Sequence, residues 1–321
     1  MCIRIFIYVT IVSQFCWCHV VDEDVKANYR KLPKVDFSVA NANKDGILYT
    51  LFTNSEPTTG KKLREDNSNV EIIEKNISTV LIFHGWTTDD NSPWFRPLRD
   101  EFFKIGKHNI IFVNWSRAGN QSYSISCANV KPVGMYLAQF LIASKVDLDK
   151  VHLIGHSLGS QLTSYIGKSV ISLAGKKIGR ITALDPAGPM WSSMLETDRL
   201  NKNDADFVDV IHTDIQMYGF TAPCGDADFY PNGGSHQPGC PSRQSDDNCS
   251  HARSTLYFIE SLTTKVFAKE ASFEEDETFA VTIRVKDDGK EVVFGQHVNT
   301  TMKGVYYLKT KSQKPFLNIE K

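Results

Sequence analysis

One stretch, Val151–Gly159 (VHLIGHSLG), limits what this chain can become more than any other. Val151 to Ile154 form a short apolar-leaning run, the pattern of a buried strand. Further on, Leu162, Tyr165, Ile166, Ser169, Val170 and Leu173 recur at intervals of three and four, so they share one helix face. Between the two stands Gly155-His156-Ser157-Leu158-Gly159. A serine framed by glycines at a strand-to-helix turn is the G-x-S-x-G nucleophile elbow. The turn is so tight that side chains at 155 and 159 would meet neighbouring backbone, and glycine removes them. It also lifts the Ser157 hydroxyl above the sheet edge and aims the first N–H groups of the helix at the reaction centre. Small residues at helix starts are common. The stretch therefore nominates a nucleophile and requires the rest of the chain to supply a base, an orienting carboxylate and an oxyanion hole.

Elements alternate around the elbow. Ile47–Phe52, Thr79–Phe83, Ile110–Val113, Ile181–Leu184 and Phe207–Ile211 read as strands, the last being the final clear one of the series. Pro93–Ile105 has helical spacing through Trp94, Leu98, Phe102 and Ile105, and Val133–Leu141 is a second helix. Glu56–Asn69 is polar and turn-rich, and is expected to be an exposed loop. Strands alternating with helices predict an α/β chain with a mostly parallel sheet flanked by helices. Reactive groups in such sheets gather beyond the carboxyl ends of the strands. Ser157, Asp185 and the His84-Gly85-Trp86 turn all fall there. After Lys265, Phe279–Val285 alternates as a strand, Asp287–Lys290 carries an Asp-Gly turn signal, Val292–Phe294 returns as a hairpin, and Val305–Leu308 is a final strand. A single domain over residues 19–321, with a short C-terminal extension from about residue 266, accounts for the 321-residue chain.

The N-terminal segment reads as a signal peptide over residues 1–18: Arg4, an apolar run Ile5–Phe15, then Cys16-Trp17-Cys18 as the cleavage region. That run is too short to span a bilayer, which disfavours an anchor and points to export. A net charge of −1 gives no reason to invoke nucleic acid. Of seven cysteines, Cys2, Cys16 and Cys18 would leave with the signal, and Cys127, Cys224, Cys240 and Cys249 remain. An even number in an oxidising compartment suggests disulfides. Of three possible pairings, the local one closes Cys240 on Cys249 and leaves Cys127 with Cys224. The spacings do not resemble those of zinc sites.

A serine hydroxyl is barely acidic, so it needs a base within reach as it attacks. In α/β-hydrolases the chain order is Ser, then Asp or Glu, then His. Asp185 ends the next strand and is confined by Pro186, whereas Asp209 lies within a strand and Asp214 after one. Among nine histidines, His251 has the right order and follows the small disulfide loop, which would hold a loop-borne base in place. His236 is the runner-up. His84 reads as structural, His212 ends a strand, and the His156 side chain is expected to point away from the nucleophile. The oxyanion hole needs two backbone N–H groups. Leu158, after the nucleophile, offers one, and Trp86, in the turn after the early buried strand, offers the other.

The motifs IFHGW, GHSLG, LDPAGP, DADFVDVIHTD, DFYPNGG, QPGC and CSHAR occur in that order between about residues 80 and 260, with a weaker echo in GVYYLKT. This pattern resembles the animal lipase family that contains pancreatic, lipoprotein and hepatic lipases and the insect phospholipases A1. The resemblance implies the α/β-hydrolase fold, with Ser157 as nucleophile, His251 as base, Asp185 as orienter, and Trp86 and Leu158 at the oxyanion. It also implies that the loop between Cys240 and Cys249 is the lid. Here that loop is only Pro241–Asn248 (PSRQSDDN), too short and polar to cover a site or present apolar surface at a lipid interface. Ile215–Gly225 also looks short beside triglyceride lipases. Both features resemble the phospholipase A1 branch, with an open cleft for a charged head group. Phospholipid cleaved at sn-1 is thus the first expected substrate and neutral glycerides the second. A catalytically silent lipid-binding or storage protein is the rival of another class, and a peptidase has only the triad in its favour. The chain stops about 55 residues after Lys265, too soon for a C-terminal lipid-binding β-sandwich, so no colipase-type partner is expected. Some family members hold calcium near RLxxxDADF. Asp198, Asn201, Asn203 and Asp204 could supply oxygens here, although asparagine at 203 lowers the charge, and no cofactor is expected to be required. Sequons stand at Asn76, Asn114, Asn120, Asn248 and Asn299.

Overall fold

A computed structural model describes residues 32–64, 70–242 and 248–317. The expected signal segment, with Cys2, Cys16 and Cys18, lies outside the described residues. In chain order the elements are β1 (Leu48–Thr53), β2 (Glu56–Leu63), β3 (Ser78–Phe83), α1 (Phe95–Ile105), β4 (His108–Asn114), α2 (Tyr123–Ser144), β5 (Val151–His156), α3 (Leu158–Ala174), β6 (Arg180–Leu184), β7 (Phe207–Ile211), β8 (Ala227–Pro231), α4 (Cys249–Ser261), β9 (Phe267–Glu275), β10 (Val281–Val285), β11 (Glu291–Val293) and β12 (Gly304–Leu308). All strands join one sheet in the order β10-β9-β12-β8-β7-β6-β5-β3-β4-β1-β2, with β11 also on β9. Every neighbour pair from β4 to β12 is parallel, and the strands outside that run are antiparallel. The chain forms β3, moves outward to β4, then returns to lay β5 on the other side of β3. That reversal opens a crevice beyond the ends of β3 and β5, where α/β sheets place their ligands.

The strands in the middle read as unbroken apolar runs because both faces are covered. Side chains still alternate. Leu81, Phe83, Leu153 and Ile181 join the core under α2 and α3, while Val80, Ile82, Ile154 and Leu184 join the core under α1 and α4. Gly134 lets α2 press on α3, since a Cβ there would lie 2.6 Å from Tyr165 Cβ.

Several expectations need correction. Glu56–Asn69 is not simply a loop: Glu56–Leu63 is the edge strand β2, antiparallel to β1. Only Leu63 of it is buried, so there is no alternation for periodicity to detect. Phe207–Ile211 is followed directly in the parallel run by β8, whose Asp228 and Pro231 hide its strand character. Asp287–Lys290 does not turn β10 back on β11. Both strands pair with β9 along its length, and the hairpin is β9–β10. The strands after about residue 266 join the main sheet through β12. No helix among the described residues is long and apolar enough to cross a membrane.

Candidate active site

The elbow forms where β5 meets α3. Ser157 has φ 56° and ψ −122°, a strained conformation held by bonds from both directions. Its N–H donates to the Leu184 carbonyl (3.0 Å), and its carbonyl accepts the N–H of Ser160 (3.0 Å) and Ala187 (3.1 Å). Both glycines are sterically required. A Cβ at Gly155 would lie 2.4 Å from the Gly159 carbonyl oxygen, and one at Gly159 would lie 2.6 Å from the His84 oxygen.

Asp185 ends β6 at φ 41° and is fully buried. Its Oδ1 accepts the N–H groups of Thr213 (2.7 Å) and Asp214 (3.1 Å), and its Oδ2 lies 2.5 Å from His251 Nδ1. With Nδ1–H donating to Asp185, Nε2 is left as the ring nitrogen able to accept a proton. The rival carboxylates have other partners. Asp209 is gripped by Arg180 through Nε (2.8 Å) and Nη2 (2.9 Å). Asp214 stands in the same cluster as Asp185 and His251, and its Oδ2 accepts the Tyr218 N–H at 3.3 Å. His236 makes no bond to Asp185, and its Nδ1 has no partner among the described residues.

His251 is not loop-borne, as expected, but sits in the first turn of α4, just after the Cys240–Cys249 disulfide (S–S 2.01 Å). The helix start adds a second constraint to that of the bridge. His156 has a partner that its place in the sequence does not reveal. Its side chain packs on the His251 ring (centroids 4.5 Å), and Nε2 lies 3.1 Å from the His251 carbonyl oxygen. Burial and the neighbouring His251 push the His156 pKa down to about 3, so it stays neutral and donates that bond. Tyr218 flanks His251 at 5.6 Å between centroids.

The His84-Gly85-Trp86 turn faces the elbow: a Cβ on Gly85 would lie 3.6 Å from Ser157 Oγ. His84 is buried and structural. Its Nε2 accepts the Trp115 N–H at 3.1 Å, and its carbonyl accepts Trp115 Nε1 at 2.9 Å. The Trp86 side chain is anchored by Nε1 to the Gln121 carbonyl at 2.9 Å. No hydrogen bond among the described residues engages the backbone N–H of Trp86 or of Leu158. Gly219 is a feature that periodicity could not reveal. It backs the carboxylate so closely that a Cβ would lie 2.5 Å from Asp185 Oδ1.

The expected Cys127–Cys224 bridge does not form. Both are buried thiols. Cys127 lies on α2 beside Tyr123 and Trp191, whereas the N–H of Cys224 donates to Asp228 Oδ1 at 2.9 Å. Each acts as a small core residue in its own place, and burial pushes the Cys127 thiol up to about 12. Of the sequons, Asn114 has its side chain engaged, with Nδ2 donating to Asp90 (2.8 Å) and Oδ1 accepting the Ser116 N–H (3.0 Å). The lid segment lies outside the described residues over 243–247.

The parallel sheet with its elbow, the Asp185–His251 pair and the facing turn define the chain as an α/β-hydrolase-fold protein. Comparisons with known proteins narrow this. The sequence profile of the Lipase family matches residues 13–316, and the chain belongs to that family. It is 36% identical over 226 residues to lipase member H-A of Xenopus laevis, covering 67% of this chain and 48% of that one. Pancreatic lipase-related protein 2 of Cavia porcellus is 36% identical over 230 residues (68% and 50% covered), and hepatic triacylglycerol lipase of Rattus norvegicus 35% over 249 (68% and 50%). The chain thus spans about half the length of these relatives. Among solved structures, a CIB-like hydrolase from Thermoplasma acidophilum matches at 16% identity with TM-score 0.33, covering 53% of this chain and 70% of its own. The fold assignment rests on strand order rather than on that superposition. Family and fold together place the chain in the Lipase family, on an α/β-hydrolase fold.

Proposed function

We propose that this protein is a secreted phospholipase A1 that hydrolyses the sn-1 acyl ester of phospholipids through an acyl-enzyme. The observation that carries the catalytic reading is the 2.5 Å contact between Asp185 and His251 beside a serine held at a strained elbow. In this reading Ser157 Oγ attacks the ester carbonyl carbon as His251 Nε2 takes its proton. Asp185 holds the imidazole in the required tautomer and stabilises the imidazolium. The carbonyl oxygen becomes an oxyanion and is received by the N–H groups of Leu158 and Trp86. Collapse breaks the C–O bond to the glycerol oxygen, which takes the proton from His251 and leaves as a lysophospholipid. Water, deprotonated by His251, then attacks the acyl-serine, releasing the fatty acid and returning the proton to Ser157.

Preference for phospholipid is supported by the lid. The Cys240–Cys249 bridge spans a sequence separation of only 9, and the enclosed residues are polar. A loop of that kind leaves a charged head group free to enter. A second reading, triacylglycerol hydrolysis, is favoured by the relative named hepatic triacylglycerol lipase. The test offers the purified protein phosphatidylcholine labelled at sn-1, the same lipid labelled at sn-2, and long-chain triacylglycerol, with Ser157→Ala as control. Label from sn-1 alone is expected. Label mainly from triacylglycerol would overturn the phospholipid reading and leave the chemistry. No label from any lipid, with folded protein, would favour a silent binding protein.

A further inference from the structure

The segment between β6 and β7 carries the oxygens that could have formed a calcium site. Of the two carboxylates among those candidates, Asp198 and Asp204, only Asp204 is buried, at 2% exposed. Lys168, on α3, reaches into the middle of the group. Its Nζ donates to Asp204 Oδ1 (2.5 Å), to the Arg199 carbonyl (2.9 Å) and to Ser164 Oγ (2.9 Å). Asn201 adds donors rather than acceptors. Its Nδ2 reaches the carbonyls of Glu196 (2.9 Å) and Arg199 (3.2 Å), and its backbone N–H donates to Asp204 Oδ2 (3.0 Å). The amide cannot simply turn over, because its Oδ1 accepts the Asn203 N–H at 2.9 Å. The Asp198 carbonyl is taken by the Tyr165 hydroxyl (2.8 Å).

Calcium requires about six to eight oxygen ligands at roughly 2.3–2.6 Å, with no competing donor among them. Here an ammonium already takes three of the oxygens, and the Asn201 amide N–H faces one of those, the Arg199 carbonyl, and a fourth, the Glu196 carbonyl. The residues present do not fit the metal. Helix α3, which carries Lys168, rests directly on this segment: a Cβ at Gly167 would lie 2.1 Å from the Asp204 carbonyl oxygen. Burial disfavours both charges of the pair, lowering the Lys168 pKa and raising that of Asp204, while each partner works against the shift on the other.

We propose that the Lys168 ammonium is a built-in cation that takes the place of a divalent ion, so that the segment before β7 is held without calcium. The ammonium neutralises Asp204 and ties Arg199 to α3 in one step. The positive charge therefore comes with the fold and needs no supply from outside. This inference concerns stability and stands apart from the catalytic reading.

The test uses the full chain in two measurements. Thermal unfolding is recorded in calcium chloride and in chelator at matched ionic strength, for wild type and Lys168→Ser. The wild-type midpoint is expected to be the same in both. In chelator the variant, which leaves Asp204 buried without its partner, is expected to melt roughly 5 °C or more lower. Calcium is expected to restore part of that loss. Equilibrium dialysis of wild type against radiolabelled calcium requires no variant and is expected to show no bound ion. A wild-type midpoint that falls on chelation, one equivalent of calcium bound at micromolar concentration, or a variant as stable as wild type in chelator would each overturn the proposal.

Discussion

Replacing Gly219 by alanine should disable the site without unfolding the protein. Gly219 is not at positive φ, so an added methyl group meets no backbone penalty. The effect is purely steric. The new Cβ would lie 2.5 Å from Asp185 Oδ1 and 2.7 Å from Oδ2, closer than carbon and oxygen can approach. The backbone at 219 has little freedom to retreat, since its N–H donates to the Asp214 carbonyl at 3.0 Å and Gly219 bridges to Ala187 and Ile215. The carboxylate must then move by roughly 0.5–1 Å. That shift is taken up by the 2.5 Å bond to His251 or by the Oδ1 bonds to Thr213 and Asp214. Misplacing a catalytic group by about 1 Å can cost ~100-fold in rate, or about 2.7 kcal/mol of barrier. The assay is steady-state hydrolysis of a soluble short-chain ester, which avoids lipid-interface effects, with the unfolding midpoint as folding control. Gly219→Ala should lose about 100-fold in kcat with KM little changed. Combined with Asp185→Asn it should add almost nothing, because both act through one carboxylate. A folded Gly219→Ala protein within roughly threefold of wild type would refute the reasoning.

Acid should destabilise the fold in a defined window. Burial lowers the pKa of His84 from 6.5 to about 4 and of His156 to about 3, and lowers that of His152 as well, so all three remain neutral in the native state while the unfolded chain takes up protons. Their contribution is therefore complete above pH 6.5 and is lost as pH falls toward those folded values, at up to about 1.4 kcal/mol per pH unit for each group. Urea unfolding at pH 7 and pH 5 should show the drop, and a pH-independent midpoint over that range would contradict it. The thiols give another test: Cys127 and Cys224 should resist a thiol reagent in native protein and react once it is denatured. A peptide joining the two by a disulfide would restore the expectation drawn from cysteine number.

The parts of the fold and site that could be read in sequence are those where local chemistry has few solutions. The elbow was legible because Gly155 and Gly159 answer to contacts of 2.4 and 2.6 Å that no side chain survives. Asp185 was legible because it ends a strand before proline. Partners that depend on distant packing were not. His156 lies next to Ser157 in sequence, but its contact is with His251, 95 residues away. Cysteine parity counted thiols without knowing which helix or loop held them. Strand β2, exposed on both faces, carries no periodic signal, and β9 accepts two partners on one side, which an Asp-Gly turn signal cannot distinguish from a hairpin. Lys168 reads as an ordinary polar position on α3, and only the fold brings it to Asp204, 36 residues later.

The most direct test of the central claim is to treat the protein with a fluorophosphonate ester analogue, locate the adduct by peptide mass mapping, and follow residual ester hydrolysis in the same samples. One phosphonyl group should appear on Ser157, activity should fall in step with its occupancy, and Ser157→Ala should remain folded, unlabelled and inactive. Labelling at another residue with activity lost, or hydrolysis by folded Ser157→Ala at the wild-type rate, would contradict the account.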